Sequence, residues 1–145
     1  MSILRLSEPN PGDILTRGPV IQAGICEPIA PQIQSGSTNI QVTPCTALLD
    51  TGAGGNMINP SLAASLGLPI HSYTTFSSAS ANNVPAKVYV LALSFPPPLN
   101  VSYDFVQFAE APFDFPNHAL LLGRSILAKW HITFDMGEGK YTICI

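Results

Sequence analysis

The sequence predicts one mainly-β domain. Segments rich in Val, Ile, Tyr and Phe recur along the chain, and several alternate apolar with polar residues, which is typical of strands. Fourteen prolines and eleven glycines are spread throughout and keep these segments short. A length of 145 residues suits a single domain spanning 1–145. Because closely spaced strands outnumber helices, we expect a closed or sandwich-like sheet.

Seven segments predict strands, and an eighth, near the N-terminus, is discussed below. In the last of the seven, Tyr141, Ile143 and Ile145 would share one face, because side chains alternate along a strand. The seven segments are residues 19–25, 38–50, 86–95, 101–109, 118–123, 130–135 and 140–145.

Two segments predict short helices. In the first, Asn59 is placed to cap the N-terminus and Pro60 suits the first helical position. Gly67 and the nearby Pro69 then end this helix. The second segment, residues 124–130, is long enough for about two turns.

The charge of the chain argues against two classes of partner. The net charge is −3, and the six Lys and Arg residues never cluster, so neither nucleic acid nor an anionic membrane is an expected partner. Charged residues make up 10% of the chain, against a usual ~25%. Such a thin charged coat indicates that a partner covers part of the surface, or that the domain is a compact β-protein with long loops.

The three cysteines predict neither a metal site nor any other cofactor. Cys26, Cys45 and Cys144 are scattered and lack the spacing of zinc ligands. We interpret them as reduced thiols of a cytoplasmic protein. The N-terminus lacks the roughly 7–15 apolar residues of a signal peptide. No apolar run approaches the ~20 residues of a membrane span.

Residues 46–60 carry the strongest chemical signal. An apolar run of strand length ends on Asp50, and a hydroxyl residue and three glycines follow at once. A strand, a Gly-rich turn and a capped helix also resemble a phosphate-binding unit. The glycines do not fit that motif, however, because Met57 occupies its third glycine position and no G-K-[ST] is present. Asp50 would also repel a phosphate.

An acid–base catalyst explains more of these residues. Gly52 can present its N–H to the carboxylate of Asp50, and the Thr51 hydroxyl can bond a neighbouring backbone group. The result is a rigid carboxylate facing a space wide enough for a peptide. Asp and Gly at the end of a strand also form ordinary turns, so these three residues do not decide the question alone.

The Asp-Thr-Gly motif becomes more informative when it is combined with a second motif further along the chain. "ALLDTGAG" (47–54), followed about seventy residues later by "ALLLGRSIL" (119–127), resembles the retropepsin-like aspartic proteases. This single-domain family includes retroviral proteases and small bacterial relatives. The helix predicted near residue 60 is more similar to the bacterial type. The resemblance covers roughly residues 18–145.

The resemblance implies a closed, β-barrel-like domain of six or seven strands, equivalent to one half of a pepsin-like bilobal unit. It implies that Asp50, Thr51 and Gly52 are catalytic. Ala53 and Gly54 would contact substrate. Three further residues, Leu122, Gly123 and Arg124, would support the site, with Gly123 ending a strand that passes beneath the Asp50 loop.

Residues 72–90 would then form a β-hairpin flap over the cleft, whose tip residues Ser78, Ala79 and Ser80 contact substrate; the alternative is a plain exposed loop.

The chain departs from the family at three places. Gly54 stands where an acid often pairs with the arginine of the Gly-Arg motif, and Ser125 replaces the usual Asp or Asn. The flap tip lacks the glycines of the viral members.

The reaction implies two chains. Hydrolysis by carboxylates uses two acids that share one proton, and no second Asp-[Thr/Ser]-Gly occurs in the sequence. The second carboxylate would be Asp50 of an identical chain related by a two-fold axis. Residues 1–17 form an N-terminal arm, within which 2–6, together with 140–145, are candidates for an intersubunit sheet. We therefore expect a homodimeric endopeptidase that cleaves peptides or proteins.

Three other functions stay open from the sequence. A dimer that keeps the fold but has lost the chemistry would bind peptides as a scaffold. A serine or cysteine hydrolase would need a nucleophile elbow, which is absent, although His71, His118 and His131 are available as bases. A nucleotide-binding module is the third. For the protease, apolar side chains such as Ile58, Val84 and Leu122 are expected to line the cleft.

Overall fold

The computed structural model describes residues 1–7, 12–76 and 83–145, without the side chains of Asp13 and Leu15. Ten strands and four short helices occupy these ranges. The strands are β1 (Ile3–Ser7), β2 (Val20–Cys26), β3 (Thr43–Leu49), β4 (Asn56–Ile58), β5 (Ser72–Phe76), β6 (Val84–Phe95), β7 (Val101–Glu110), β8 (Leu120–Leu122), β9 (His131–Asp135) and β10 (Lys140–Cys144). The helices are α1 (Gly12–Arg17), α2 (Ile29–Gln34), α3 (Pro60–Ser65) and α4 (Arg124–Leu127).

Six strands close into a barrel, which confirms the predicted mainly-β, closed fold. The order is β2-β3-β8-β4-β7-β6, and β6 pairs back onto β2 with Gly24 opposite Ser94. The twelve-residue β6 is long enough to pair with β5 through its first half and with β2 through its second. Closure satisfies the backbone of the barrel strands, so their edges are not exposed to other chains.

The core lies inside this barrel. Alternate residues of β2, namely Ile21, Ala23 and Ile25, are at most 4% exposed. Removing such an aliphatic side chain from water contributes roughly 1.5–3 kcal/mol each. The side chains buried completely, at 0% exposure, include Ala47, Ile58, Leu93, Phe108, Leu120, Leu122 and Ile143.

The other three strands form a small antiparallel sheet in the order β1-β10-β9. Tyr141 and Ile143 are buried on one face of β10, as the alternation predicts, and the Tyr141 hydroxyl donates to the Val20 carbonyl of the barrel. β1 pairs with β10 of the same chain, with Ile3 opposite Cys144. Because β9 occupies the other side, β10 has no free edge for a second chain. The two edge strands of this sheet are β1 and β9. That residues 2–6 and 140–145 contribute to an intersubunit sheet stays a prediction.

α3 begins and ends where the sequence predicts. Pro60 is its first residue, and Gly67 follows its C-cap with a positive φ of 59°. The cap itself differs from the prediction, because the side chain of Asn59 makes no capping hydrogen bond. Asp114 instead accepts a hydrogen bond from Ser61 N at 3.0 Å, so a distant carboxylate caps the helix.

The remaining helices depart from the expectation in length and number. α4 covers four residues, Arg124–Leu127, and continues as a turn, so it is shorter than the predicted segment 124–130. α1 and α2 are not predicted from the sequence. The first turn of α2 is capped by Asp104 of β7, whose two carboxylate oxygens each accept a backbone N–H at 2.8 Å. None of the helices in the described ranges has the length and apolarity needed to cross a membrane.

The loop that carries Asp50 crosses over the end of β8. β8 lies between β3 and β4, parallel to the first and antiparallel to the second, and residues 50–55 connect these two outer strands. Gly123 follows β8 directly beneath the loop. A Cβ at this position would lie 2.2 Å from the carbonyl oxygen of Gly55 and 2.7 Å from that of Ala53. Only glycine fits such a close approach of two backbones.

Replacing Gly123 by Ala is expected to destabilise the protein by about 3 kcal/mol or more, because backbone must move to admit the methyl group. Thermal unfolding would show the loss as a melting temperature lower by roughly 6–12 °C. Gly55→Ala is the matched control, since a Cβ there meets nothing within 4 Å. A Gly123→Ala variant as stable as the control would contradict this packing.

Candidate active site

Asp50 lies at the end of β3, where its backbone is fixed by the neighbouring strand. Its N–H donates to the Leu122 carbonyl at 2.9 Å, and its carbonyl accepts from Ala53 N at 3.3 Å. The carboxylate is half-buried, and its Oδ1 accepts a hydrogen bond from Gly52 N at 2.8 Å. A Cβ on Gly52 would lie 3.1 Å from the same oxygen, so glycine keeps this approach open. The second oxygen, Oδ2, accepts no hydrogen bond from the groups of the described residues.

Thr51 contributes its backbone and leaves its hydroxyl unused. The carbonyl oxygen of Thr51 accepts from Arg124 Nη1 at 2.9 Å. The hydroxyl is exposed and has no hydrogen-bond partner in residues 1–7, 12–76 and 83–145. The predicted bond from this hydroxyl to the backbone is therefore not formed within the described part of the chain.

The N-terminus of α4 holds the rest of the loop. Ala53 and Gly54 give their carbonyl oxygens to the N–H groups of Arg124 and Ser125, at 2.8 and 3.1 Å. These N–H groups lack partners within the helix, so the loop satisfies them. Among the side chains described, Arg124 forms no ion pair. Its guanidinium binds the Thr51 carbonyl and passes close to Gly54, where a Cβ would lie 3.7 Å from Nη2. A carbonyl thus takes the place of the family's acid.

Asn56 is a supporting residue that the sequence analysis missed. It is 6% exposed, and its Oδ1 accepts from Gly123 N at 3.0 Å while its Nδ2 donates to the Gln107 carbonyl at 3.1 Å. The amide side chain of Asn56 therefore joins three parts of the fold: the loop, β7, and the residue that follows β8. The signal in the sequence was a polar residue at the start of the apolar run 57–58, directly after the glycines.

The other aspartates with described side chains have structural tasks. Asp104 caps α2, Asp114 caps α3, and Asp135 accepts from Glu138 N at 3.1 Å in the turn between β9 and β10. Asp135 thus opens the hairpin turn between these two strands. Within the described side chains, only Asp50 among the aspartates combines a fixed geometry with a position beside an open groove.

A groove of about 890 Å³ opens beside Asp50. Val84 lines it, as predicted. Ile58 and Leu122 do not, because both are 0% exposed and face the barrel core. Their neighbours Met57 and Leu121 point the opposite way, because side chains alternate along a strand, and they line the groove. The apolar lining consists of Met57, Phe76, Val84, Ala109, Pro112, Phe113, Phe115 and Leu121.

The segment after β7 forms an aromatic wall of this groove. The Phe113 and Phe115 rings meet edge to face at 6.0 Å, and Phe115 stacks on His118 at 4.6 Å. Asn59 fixes the segment, since its Oδ1 accepts from Phe115 N and its Nδ2 donates to the His118 carbonyl. Both ring nitrogens of His118 are buried without a hydrogen-bond partner in the described structure. This burial lowers the pKa of His118.

The predicted flap, residues 72–90, lies only partly within the described residues. Its arms are β5 and the start of β6, which pair antiparallel up to Phe76 opposite Val84. Both of these side chains line the groove. The predicted substrate contacts Ser78, Ala79 and Ser80 lie outside the described residues.

No metal site is evident where side chains are described, since His, Cys, Asp and Glu nowhere gather in a group of three. All three cysteines are free, and burial raises the pKa of Cys45 to about 12, so that thiol stays protonated. The absence of a cofactor stays a prediction.

Asn56→Ala is expected to lower the free energy of unfolding by roughly 2–4 kcal/mol, because the buried N–H of Gly123 and the partly buried carbonyl of Gln107 lose their partner. Urea denaturation measures the change. Asn117→Ala, at an exposed position, is the control and should stay within about 0.5 kcal/mol of wild type. Equal stabilities of the two variants would contradict the bridging role of Asn56.

His118 predicts a loss of stability in mild acid. Its pKa is lowered in the folded state from the value of about 6.5 that it has in the unfolded chain. Below pH 6.5 the unfolded chain therefore binds more protons than the folded one. The free energy of unfolding consequently falls as the pH drops below 6.5. His118→Phe keeps a ring against Phe115 and removes the titration. Its unfolding free energy should therefore decline less than that of wild type between pH 7 and pH 5. Parallel curves would contradict the burial of a neutral imidazole.

Comparisons with known proteins identify the family and the fold. The sequence model of the aspartyl protease family matches residues 35–126. A retropepsin-like aspartic protease from Rickettsia conorii superposes with a TM-score of 0.60 at 17% identity, covering 97% of this chain and 89% of that one. EIAV protease, solved with the inhibitor HBY-793, gives a TM-score of 0.48 at 19% identity, covering 77% and 86%. No curated protein sequence gives a significant match. Because the family match spans more than half of the chain and includes Asp50-Thr51-Gly52 and the Gly123-Arg124 pair, the chain belongs to the aspartyl protease family, in its retropepsin-like form.

Proposed function

We propose that the protein is an aspartic endopeptidase that acts as a homodimer, with one Asp50 from each chain. The observation that carries this proposal is the state of the Asp50 carboxylate: it is half-buried, oriented by Gly52 N–H and placed in the lining of an open groove of about 890 Å³. Thr51 and Gly52 complete the catalytic loop. Ala53 and Gly54 line the groove as substrate contacts, as the tip residues 78–80 would from the flap.

The two carboxylates would share one proton in the resting dimer, because two like charges about 3 Å apart do not both ionise readily. The ionised Asp50 takes a proton from water as the water oxygen bonds to the peptide carbonyl carbon. The protonated carboxyl of the partner's Asp50 gives its proton to the carbonyl oxygen. The C–N bond of the tetrahedral intermediate then breaks as the first carboxyl protonates the nitrogen and the partner's Asp50 carboxylate takes the proton of one of the two hydroxyls. An acid and an amine leave, and the pair of carboxylates again holds one proton.

Two features of the chain support the dimer. Its one Asp-Thr-Gly supplies half of such a centre. The Thr51 hydroxyl is exposed beside Asp50 and lacks a partner within the described chain, so it is available to a second copy across a two-fold axis. The outer edge of β1, in the arm formed by residues 1–17, offers a further place for contact between the two chains.

The groove indicates the kind of substrate. Its lining is mainly apolar and aromatic, so the side chains on either side of the cleaved bond are expected to be apolar. We also place the protein in the cytoplasm, because its three cysteines are free thiols.

Asp50→Asn is expected to lower kcat/KM for peptide cleavage by roughly 10³-fold or more while the dimer persists. Cleavage of a peptide library at acidic and neutral pH, with and without pepstatin, measures activity, and light scattering measures the dimer. Asp135→Asn removes a carboxylate from an exposed turn and serves as the control. A wild-type dimer that binds peptides without cleaving them would favour the scaffold function instead.

Mixing chains tests the shared site directly. An equal amount of the Asp50→Asn chain is added to wild type and the subunits are allowed to exchange. The number of dimers doubles, and random pairing leaves about a quarter of them with two Asp50 carboxylates. The activity should therefore fall to about half of its value before mixing. An activity that does not change on mixing would contradict a site built from two chains.

A further inference from the structure

A second cavity of about 390 Å³ adjoins the groove at the base of the flap. Phe76, Val84 and Pro112 line both spaces, so the two are continuous. Asp50 does not line the second cavity, which therefore lies further from the reacting bond. The groove is mainly apolar, whereas this cavity contains a carboxylate, an ammonium group and an exposed phenol ring, from Glu110, Lys87 and Tyr73.

Glu110 is the fixed polar group of the cavity. It is the last residue of β7, and its side chain is 21% exposed. Its Oε1 accepts a hydrogen bond from the hydroxyl of Tyr89 at 3.0 Å. Burial, with Glu110 beside it, raises the pKa of Tyr89 to about 12, so the phenol keeps its proton and remains a donor. Tyr89 thereby anchors one carboxylate oxygen, and the other, Oε2, is the one nearer to Lys87, which also lines the cavity.

Lys87 is a loose partner for this second oxygen. Its Nζ lies 3.9 Å from Glu110 Oε2, at the outer limit of an ion pair, and its side chain is 46% exposed. An exposed pair of this kind contributes only about 0–1 kcal/mol. Lys87 can therefore turn into solvent at little cost and leave Oε2 to another cation.

Tyr73 supplies an aromatic face in the same cavity. It stands directly opposite Lys87 in the β5–β6 ladder and is 70% exposed. A large exposed ring beside a carboxylate is a favourable place for a guanidinium or ammonium group, which is attracted to the ring face and to the negative charge at once. The net charge of −3 and Asp50 in the adjoining groove also favour a cation.

We propose that this cavity is an outer substrate subsite that takes an Arg or Lys side chain of the peptide, with Glu110 Oε2 binding the charged group and Tyr73 covering it. The inference rests on the proposed function only in that a peptide occupies the groove. Glu110 and Tyr73 thus set specificity at a position away from the cleaved bond, where the substrate is basic, while the residues next to the bond are apolar.

The test uses fluorescent peptides bound to the Asp50→Asn dimer, which keeps the groove and does not consume the ligand. A single Arg is moved through each position of an otherwise neutral peptide, and norleucine or Glu replaces it in matched sets. At one outer position Arg should bind about fivefold more tightly than norleucine, the effect of one partly exposed charge contact with a cation–π contact. Added salt should reduce this ratio.

Variants assign the preference to Glu110. Adding Glu110→Gln keeps an acceptor for Tyr89 and should bring the Arg-to-norleucine ratio to about one, whereas Lys87→Met should keep or raise it. Glu138→Gln is the matched control, because Glu138 also forms an exposed pair, with Lys140 at 3.5 Å, on another face. It should leave the ratio unchanged.

Three results would overturn the subsite: no position at which Arg exceeds norleucine, tighter binding of Glu than of Arg, or an equal change in ratio from Glu110→Gln and Glu138→Gln. The same peptides are then offered to wild type. Selective binding without cleavage would sustain the subsite and overturn the protease, whereas cleavage without charge selection would do the reverse.

Discussion

The site depends on the crossing of two backbones. The loop from β3 to β4 passes over the residue that follows β8, and the carbonyl oxygens of Ala53 and Gly55 come so close to Gly123 that no side chain fits between them. This contact fixes the height of the loop above the barrel. The orientation of Asp50 follows from it, because the same segment donates and accepts the hydrogen bonds that hold residues 50 to 54.

Polar side chains then divide into those that build loops and those that face the groove. Asn56, Asn59, Asp104 and Asp114 each bond backbone groups of a segment distant in sequence. These side chains use their hydrogen bonds to hold the fold together. The Asp50 carboxylate is held by one short local bond at Oδ1, and its second oxygen has no partner among the described groups. The contrast between occupied and available carboxylates separates the candidate catalyst from its neighbours without reference to any motif.

Much of the fold could be predicted from the sequence because its strands carry period-two patterns of apolar residues. The bounds of α3 could be predicted because Pro and Gly mark its two ends. The loop motif made Asp50 and Gly123 visible for the same local reason. The caps were not readable, since Asp114 displaces Asn59 at α3 only through tertiary contact. The groove lining was misassigned at Ile58 and Leu122, because an apolar run hides which of two alternating faces is inward. Asn56 and the Glu110 cavity required the barrel to bring β4, β6 and β7 together.

The contact between Arg124 and the Thr51 carbonyl has a consequence for acid conditions. A carboxylate in that place would take up a proton as the surroundings became acidic, and the tie would weaken. A peptide oxygen offers no such titration, and a guanidinium stays cationic throughout. The hydrogen bond that holds the loop therefore does not depend on pH. If the proposed protease activity changes with pH, the cause is to be sought in Asp50 and not in this contact.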